Sequence, residues 1–215
     1  MIHYEFIADR SVYGYLDLHD AGAVACAAAI LSAYDLEAVA HIQHEKRRYT
    51  SLLARGLTYY LYGQLANNAD YLLVKAETGR PTLADSQGNR QAFISIAHSH
   101  DIVASVIDMQ YAVGIDVEYC RDNRDYKQIT KRIFPQNIAS RIQSQEQFYQ
   151  AWCLYEAWGK ANDLKHTDKQ QNAGLMSLLA VWLNLDQDKE VVSAVRFFRP
   201  DEQYAGCIYR DIQWG

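Results

Sequence analysis

Helical and strand-like patterns follow one another twice along this chain of 215 residues, and that order limits the folds open to it. Apolar residues recur at helical spacing over about 45–64, and short strand-like segments follow. Helical patterns return after residue 126, and the last segments are again strand-like. Helices followed by strands are typical of the α+β class. We therefore predict an α+β fold of two similar halves, residues 1–111 and 112–215.

Local signals predict the individual elements. Asp20 should cap an Ala-rich helix that begins at Ala21, and Asp35 with Glu37 should start a second, shorter helix. Further helices are predicted over 45–64, 126–134 and 145–162. Strands are predicted over 4–8, 71–75, 92–97, 102–108, 112–118, 191–198 and 203–209, with turns at 77–81 and 85–88.

Composition excludes several classes of protein. Lysine and arginine number 21 against 26 aspartate and glutamate, and this net charge of −5 disfavours a nucleic-acid partner. The longest apolar stretch, 21–31, is far shorter than the roughly 20 residues that span a bilayer, and the acidic first twenty residues differ from a secretory signal. We expect a cytoplasmic protein with no membrane partner. Its scattered thiols form no CxxC pair and suit a reducing compartment; they are Cys26, Cys120, Cys153 and Cys207.

The segment GIDVE at 114–118 places two carboxylates on one strand. Because side chains alternate along a strand, Asp116 and Glu118 should share one face and Ile115 and Val117 the other. Paired carboxylates suit Mg²⁺, which prefers oxygen ligands and bridges to phosphates. The alternative is a surface strand with two solvated acids.

A helical segment further on repeats charged residues at one-turn spacing. Trp152, Glu156 and Lys160 lie four residues apart and therefore on one helix face. Glu156 could bind a metal or accept a proton, and Lys160 could face a phosphate. A surface ion pair beside a core tryptophan is the alternative interpretation.

Basic residues of the first half suit an anion. His98 and Ser99 end a predicted strand, and the H-x-H spacing of His98 and His100 leaves a zinc site or a buried histidine as alternatives. Arg80 follows Gly79 in a turn and has a guanidinium suited to phosphate oxygens. Three arginines of the helix over 45–64 are either phosphate ligands or solvated residues: Arg47, Arg48 and Arg55.

The order of these motifs resembles the 4′-phosphopantetheinyl transferase superfamily, in its longer monomeric branch of the surfactin-synthetase-activating type. The resemblance rests on the H-S doublet, GIDVE and W-x-x-x-E-x-x-x-K, and it covers roughly 46–160. It implies a Mg²⁺-dependent transfer of the phosphopantetheine arm of coenzyme A to a serine of an apo acyl or peptidyl carrier protein, with release of 3′,5′-ADP. It also implies a monomer built as a pseudo-dimer, with the active site in the cleft between the halves.

The resemblance also assigns roles to residues. The metal ligands are Asp116, Glu118 and Glu156, and Lys160 steadies the departing phosphate. Glu156 and Lys160 are the expected catalytic residues. Coenzyme A should be bound by Arg48, Arg80, His98, Ser99, Asp116 and Lys160, with Arg47 and Arg55 as alternatives to Arg48.

Three positions depart from the family pattern. In the usual motif N-x-S-H-S, the asparagine is replaced here by Ser95 and the first serine by Ala97. In the usual motif W-x-x-K-E, the lysine is replaced by Tyr155. Tyr155 motivates an alternative function, a catalytically impaired homologue that binds coenzyme A. A metal-dependent phosphohydrolase and a structural module are further alternatives.

The segment 121–132 is a candidate docking surface for the carrier protein. Two acids, Asp122 and Asp125, accompany five basic residues: Arg121, Arg124, Lys127, Lys131 and Arg132. Carrier proteins of this class are acidic, so this segment could steer them toward the site. An ordinary solvated helix face is the alternative.

Overall fold

The computed structural model describes residues 1–66, 71–75, 80–164, 172–184 and 194–212. Helices and antiparallel strands occur together, which confirms the α+β class. The contacts divide the chain into two compact units, Met1–Ala112 (unit 1) and Val113–Gly215 (unit 2). The boundary predicted from the sequence, between residues 111 and 112, differs from this division by one residue.

In the described part of unit 1, six antiparallel strands form one sheet, and three helices accompany it. Its strands, in the spatial order β1-β2-β6-β5-β4-β3, are β1 His3–Ala8, β2 Ser11–Asp17, β3 Leu72–Lys75, β4 Pro81–Ala84, β5 Arg90–Ser99 and β6 Ile102–Asp108. Its helices are α1 Ala21–Ala28, α2 Ala33–Val39 and α3 Glu45–Leu65. Asp20 caps α1 as predicted, since its Oδ1 accepts a hydrogen bond from the backbone N–H of Ala23 at 2.9 Å.

The core of unit 1 lies between its sheet and helix α3. Leu53, Leu57 and Leu61 of α3 recur at helical spacing and are buried against strand residues such as Val103 and Ile107. Residues of the first turns of α3, of β3 and of the end of β5 line a common cavity beside this core.

Among the described residues of unit 2, three antiparallel strands form a sheet that is covered by helices. Its strands, in the order β7-β9-β8, are β7 Val113–Tyr119, β8 Val195–Phe198 and β9 Tyr204–Arg210. Its helices are α4 Tyr126–Ile133, α5 Gln136–Ala139, α6 Gln145–Ala161 and α7 Ala173–Asn184. Helix α6 packs on β7 and β9, and its buried side chains form much of the core of this unit.

Several elements differ from the prediction. Strand β2 was not predicted, because it is buried along most of its length and so lacks the alternation of a half-exposed strand. Strand β4 and helices α5 and α7 were not predicted either; helix α7 is an almost continuous apolar run without a clear polar face. Residues 77–79 of the predicted turn and 191–193 of the predicted strand lie outside the described residues.

Within the described part of the chain, no single helix is both long and apolar enough to cross a membrane. Helices α1 and α2 meet the length and composition criteria only when taken together, and they are bent by 105° at the break between them.

Candidate functional site

Helix α6 lies close to strand β7 at Gly114. A Cβ atom built on this glycine would lie 1.9 Å from the carbonyl oxygen of Ala157 and 2.9 Å from the nitrogen of Ala161. Only a residue without a side chain permits this contact. The close packing brings the Trp152–Glu156–Lys160 face of α6 over the carboxylates of β7.

Asp116 and Lys160 form an ion pair between these two elements. The ammonium Nζ of Lys160 donates to Asp116 Oδ1 at 2.7 Å and to the carbonyl oxygen of Ile115 at 2.9 Å. Asp116 is 7% exposed, and its Oδ2 has no hydrogen-bond partner among the described residues. Such a buried oxygen can accept a further donor or a cation.

Glu118 and Glu156 lie near this ion pair. Glu118 Oε1 accepts a hydrogen bond from the indole Nε1 of Trp152 at 2.9 Å. Trp152 lies on the same helix face as Lys160, about two turns before it. Glu156, between them on that face, is half-buried. The structure therefore brings the second-half candidates together: Asp116, Glu118, Glu156 and Lys160.

The electrostatics of Asp116 reflect this clustering. Burial raises the pKa of Asp116 to about 6, against the attraction of Lys160 and with the help of the charges on Glu118 and Glu156. Its ionised form is thus costly in this environment, and a second cation would stabilise it.

The described residues contain no three His, Cys, Asp or Glu side chains already grouped to hold a metal ion. Neither the three carboxylates Asp116, Glu118 and Glu156 nor the H-x-H pair His98 and His100 forms such a group in this structure. The donor chemistry nevertheless fits Mg²⁺, because the set contains only carboxylate oxygens and one of them is buried without a partner.

Tyr155 lies in the core of unit 2. Its side chain is fully buried, stacks on Trp152 with ring centroids 5.8 Å apart, and meets the ring of Phe134 edge-on at 5.6 Å. Burial raises its pKa to about 12, so the phenol remains neutral. The position that departs from the family pattern is therefore a packing position in this chain.

Unit 1 contains a cavity of about 810 Å³ between α2, the start of α3, β3 and β5. No aspartate or glutamate is among its described lining residues. Six basic side chains line it: His41, His44, Arg47, Arg55, Lys75 and His98. A cavity with this lining suits a ligand that carries several negative charges.

The first-half candidates differ in their relation to this cavity. His98 is exposed and lines it together with Ile96, as the alternation along β5 requires. Arg48, Arg80 and Ser99 are half-buried and are not among its described lining residues. Arg48 donates from Nη1 to the carbonyl oxygen of Ile42 at 3.2 Å and so holds the segment before α3.

Ser95 and Ala97, the other two departures from the family pattern, are buried on the face of β5 that is opposite to His98. They therefore leave the cavity lining unchanged.

Sequence reasoning missed three basic residues of the cavity: His41, His44 and Lys75. One local signal could have indicated His44, since it precedes a helical pattern and its Nδ1 caps α3 by accepting from the backbone N–H of Arg47 at 3.3 Å. Lys75 ends a short strand and carries no comparable signal.

Comparisons with known proteins agree with the motifs. No family model matches the chain. A candidate 4′-phosphopantetheinyl transferase of Haemophilus influenzae is 29% identical over 148 residues, covering 60% of this chain and 59% of the relative. The 4′-phosphopantetheinyl transferase HetI of Nostoc sp. is 27% identical over 89 residues, covering 39% of this chain and 38% of the relative. Both similarities support the phosphopantetheinyl transferase superfamily, although the chain matches only part of each relative.

Proposed function

We propose that this protein transfers the 4′-phosphopantetheine group of coenzyme A to a serine of an apo acyl or peptidyl carrier protein and releases 3′,5′-ADP. The names of the two relatives support this type of transfer. The observation that carries the proposal is the cavity of unit 1, with six basic side chains and no acidic one among its described lining residues.

The proposal includes several finer expectations from the sequence. They are the surfactin-synthetase-activating type, a Mg²⁺-dependent cytoplasmic monomer, and a pseudo-dimer with its active site in the cleft between two similar halves. In this proposal unit 1 binds the phosphates of coenzyme A, and unit 2 supplies the groups for the chemistry.

The volume and charge of the cavity support binding of the nucleotide part of coenzyme A. Its volume of about 810 Å³ is comparable with that of sites for drug-sized ligands, roughly 300–1,000 Å³. Arg47 and Lys75 supply permanent positive charges to phosphate oxygens, and the histidines can donate hydrogen bonds.

The transfer itself exchanges one P–O bond for another. The hydroxyl oxygen of the carrier serine attacks the phosphorus attached to pantetheine, and the bond from that phosphorus to the nucleotide oxygen breaks. The nucleotide departs with the electron pair as 3′,5′-ADP. Glu156 accepts the serine proton, and the ammonium of Lys160 offsets the charge that develops on the leaving phosphate.

Asp116, Glu118 and Glu156 would hold Mg²⁺ in this site. The metal, when bound, would neutralise the pyrophosphate and polarise the reacting phosphorus. Lys160 contacts Asp116 through one oxygen only, so the second oxygen is available for that role.

The test is incubation of the protein with coenzyme A, Mg²⁺ and an apo carrier protein, followed by mass spectrometry of the carrier. A mass increase by one phosphopantetheine group is expected. Coenzyme A binding without transfer would instead indicate the impaired homologue, and phosphate release without a carrier would indicate a phosphohydrolase. No response to any ligand would indicate a structural module.

Glu156→Gln tests the assigned proton acceptor. We expect transfer to fall by about 10²–10⁴-fold or beyond detection, with coenzyme A binding retained, because the amide accepts no proton. Glu146→Gln, in the exposed first turn of the same helix, is the matched control and should transfer normally. Full activity of Glu156→Gln would refute this role.

A further inference from the structure

A buried polar network lies behind one side of the unit 1 cavity. Asp35 of α2 is 1% exposed, and its Oδ1 accepts from Arg55 Nε at 2.6 Å and from the Tyr59 hydroxyl at 2.8 Å. Its Oδ2 accepts from the backbone N–H and the hydroxyl of Ser32, at 3.0 and 2.7 Å. Burial acts to raise the pKa of Asp35, but these hydrogen bonds outweigh it and hold the pKa below the ordinary value of an aspartate. The buried carboxylate is therefore ionised and fully paired.

The network extends to strand β3 through Leu73. Arg55 Nη2 donates to the carbonyl oxygen of Leu73, and the backbone N–H of Leu73 donates to the Tyr59 hydroxyl at 3.0 Å. β3 is the edge strand of the described sheet, so no further strand pairs with these groups. Burial raises the pKa of Tyr59 to about 12, so its hydroxyl keeps the proton that it donates to Asp35. Two side chains of α3 thus fix the free edge of β3.

The fixed strand is also part of the cavity lining. Leu73 and Lys75 both line the cavity, and Lys75 is exposed two residues beyond the network. The side chain of Arg55 is only 13% exposed, and its guanidinium is paired with Asp35 and lies 5.7 Å from the ring centre of Tyr34. The charge of Arg55 is largely satisfied inside the protein, whereas Lys75 is exposed and lines the cavity.

We propose that Asp35, Arg55 and Tyr59 are positioning residues that hold β3 so that Lys75 faces the anionic part of coenzyme A. This inference rests on the proposed function, since it takes the cavity as the binding site of that ligand. The three residues act on affinity through the strand and take no part in the chemistry.

Tyr59→Phe removes one hydroxyl and keeps the ring. The dissociation constant of coenzyme A, measured by calorimetry, should rise about fivefold, because the hydrogen bond that ties the Leu73 N–H of β3 to this hydroxyl is lost together with the one to Asp35. The kcat at saturating coenzyme A and the KM for the carrier should not change. Tyr62→Phe is the matched control, because Tyr62 is buried on the same helix and packs on the same ring of Tyr71. It should bind like the wild type.

Arg55→Lys and a double-mutant cycle separate positioning from direct contact. Arg55→Lys keeps the charge and loses the forked donor, so it should weaken binding as Tyr59→Phe does. In the Lys75→Gln background, Tyr59→Phe should have no further effect, because its action passes through Lys75.

Three outcomes would overturn the inference. In the first, both Tyr59→Phe and Arg55→Lys bind coenzyme A with normal affinity. In the second, the losses of affinity caused by Tyr59→Phe and Lys75→Gln are additive in the double-mutant cycle. In both cases the wild type still binds coenzyme A, so the proposed function is not affected. The third is a wild type that does not bind coenzyme A, which would overturn the proposed function and this inference together.

Discussion

The carboxylate of Asp116 is buried with one oxygen on Lys160 and the other without a hydrogen-bond partner among the described residues. A buried acid in this state is costly to ionise, and its pKa of about 6 expresses that cost. A solvated surface acid, the alternative that the sequence left open, would be neither buried nor shifted. The environment therefore favours the interpretation of Asp116 as a functional residue.

Gly114 sets the distance at which Lys160 can reach Asp116. Gly114→Ala should lower the free energy of unfolding by about 1–3 kcal/mol, because its Cβ would overlap the backbone of α6. Gly63→Ala is the matched control. Gly63 lies in α3 with open space around it, so the substitution should stabilise the protein by about 0.5–1 kcal/mol.

Chemical denaturation monitored by far-UV circular dichroism, which reports on the helices of both units, measures both changes. A Gly114→Ala protein as stable as the wild type would show that the close approach of α6 to β7 is not required.

Helix α6 shows how one element can combine packing with chemistry. Its polar face carries Trp152, Glu156 and Lys160, while all other residues from Ala151 to Ala161 are buried in the core. The hydroxyl of Ser144 accepts from the backbone N–H of Gln147 at 3.1 Å and caps the helix. The helix is therefore held at its start and along its core faces, which fixes the functional face over β7.

Helix α4 and the residues just before it carry the candidate docking surface. Arg124 lies over the rings of Phe148 and Tyr149, at 5.6 and 5.8 Å from their centres, and so has a packing role. The other four basic residues are exposed: Arg121, Lys127, Lys131 and Arg132. We propose that these four attract the acidic carrier protein.

Reversal of two of these charges tests the docking surface. Lys127→Glu combined with Lys131→Glu should raise the KM for the carrier, most strongly at low ionic strength, and leave the affinity for coenzyme A intact. Arg10→Glu combined with Arg141→Glu changes the net charge equally at exposed positions elsewhere and serves as the control. Unchanged carrier kinetics in the first variant would exclude this surface.

The whole molecule divides its candidate functional groups between two compact units. The basic cavity belongs to Met1–Ala112, and the carboxylates with Lys160 belong to Val113–Gly215. Neither unit alone contains both sets of groups. The proposed reaction requires both, since the phosphates of coenzyme A must be held while the serine attacks.

Amide hydrogen exchange can test whether coenzyme A and Mg²⁺ bind to different units. Coenzyme A alone should slow amide exchange at 41–44 and 73–75, which line the cavity. Mg²⁺ added with coenzyme A should extend the protection to β7 and the last turns of α6. Lys75→Gln should reduce the protection that coenzyme A alone gives to 41–44 and 73–75. Protection confined to other segments would contradict the assignment of the cavity.

Sequence patterns predicted the long elements well. Helices expected over 45–64 and 145–162 are observed as Glu45–Leu65 and Gln145–Ala161, and the strand expected over 102–108 is Ile102–Asp108. Amphipathic periodicity and capping residues mark such elements locally. Strand β2 and helix α7 were not predicted, because neither has a clear alternation between a buried apolar face and an exposed polar face.

The spacing in GIDVE and in W-x-x-x-E-x-x-x-K is enough to assign the chemical groups to one face of a strand and one face of a helix, because side chains repeat regularly along both elements. The pairing of these groups depends instead on how the elements pack. The tertiary structure placed Arg55 on Asp35, twenty residues earlier, and Lys75 in the cavity. It also placed Tyr155 in the core. Periodicity records which face of one element is buried, whereas contacts between distant residues depend on how the elements pack.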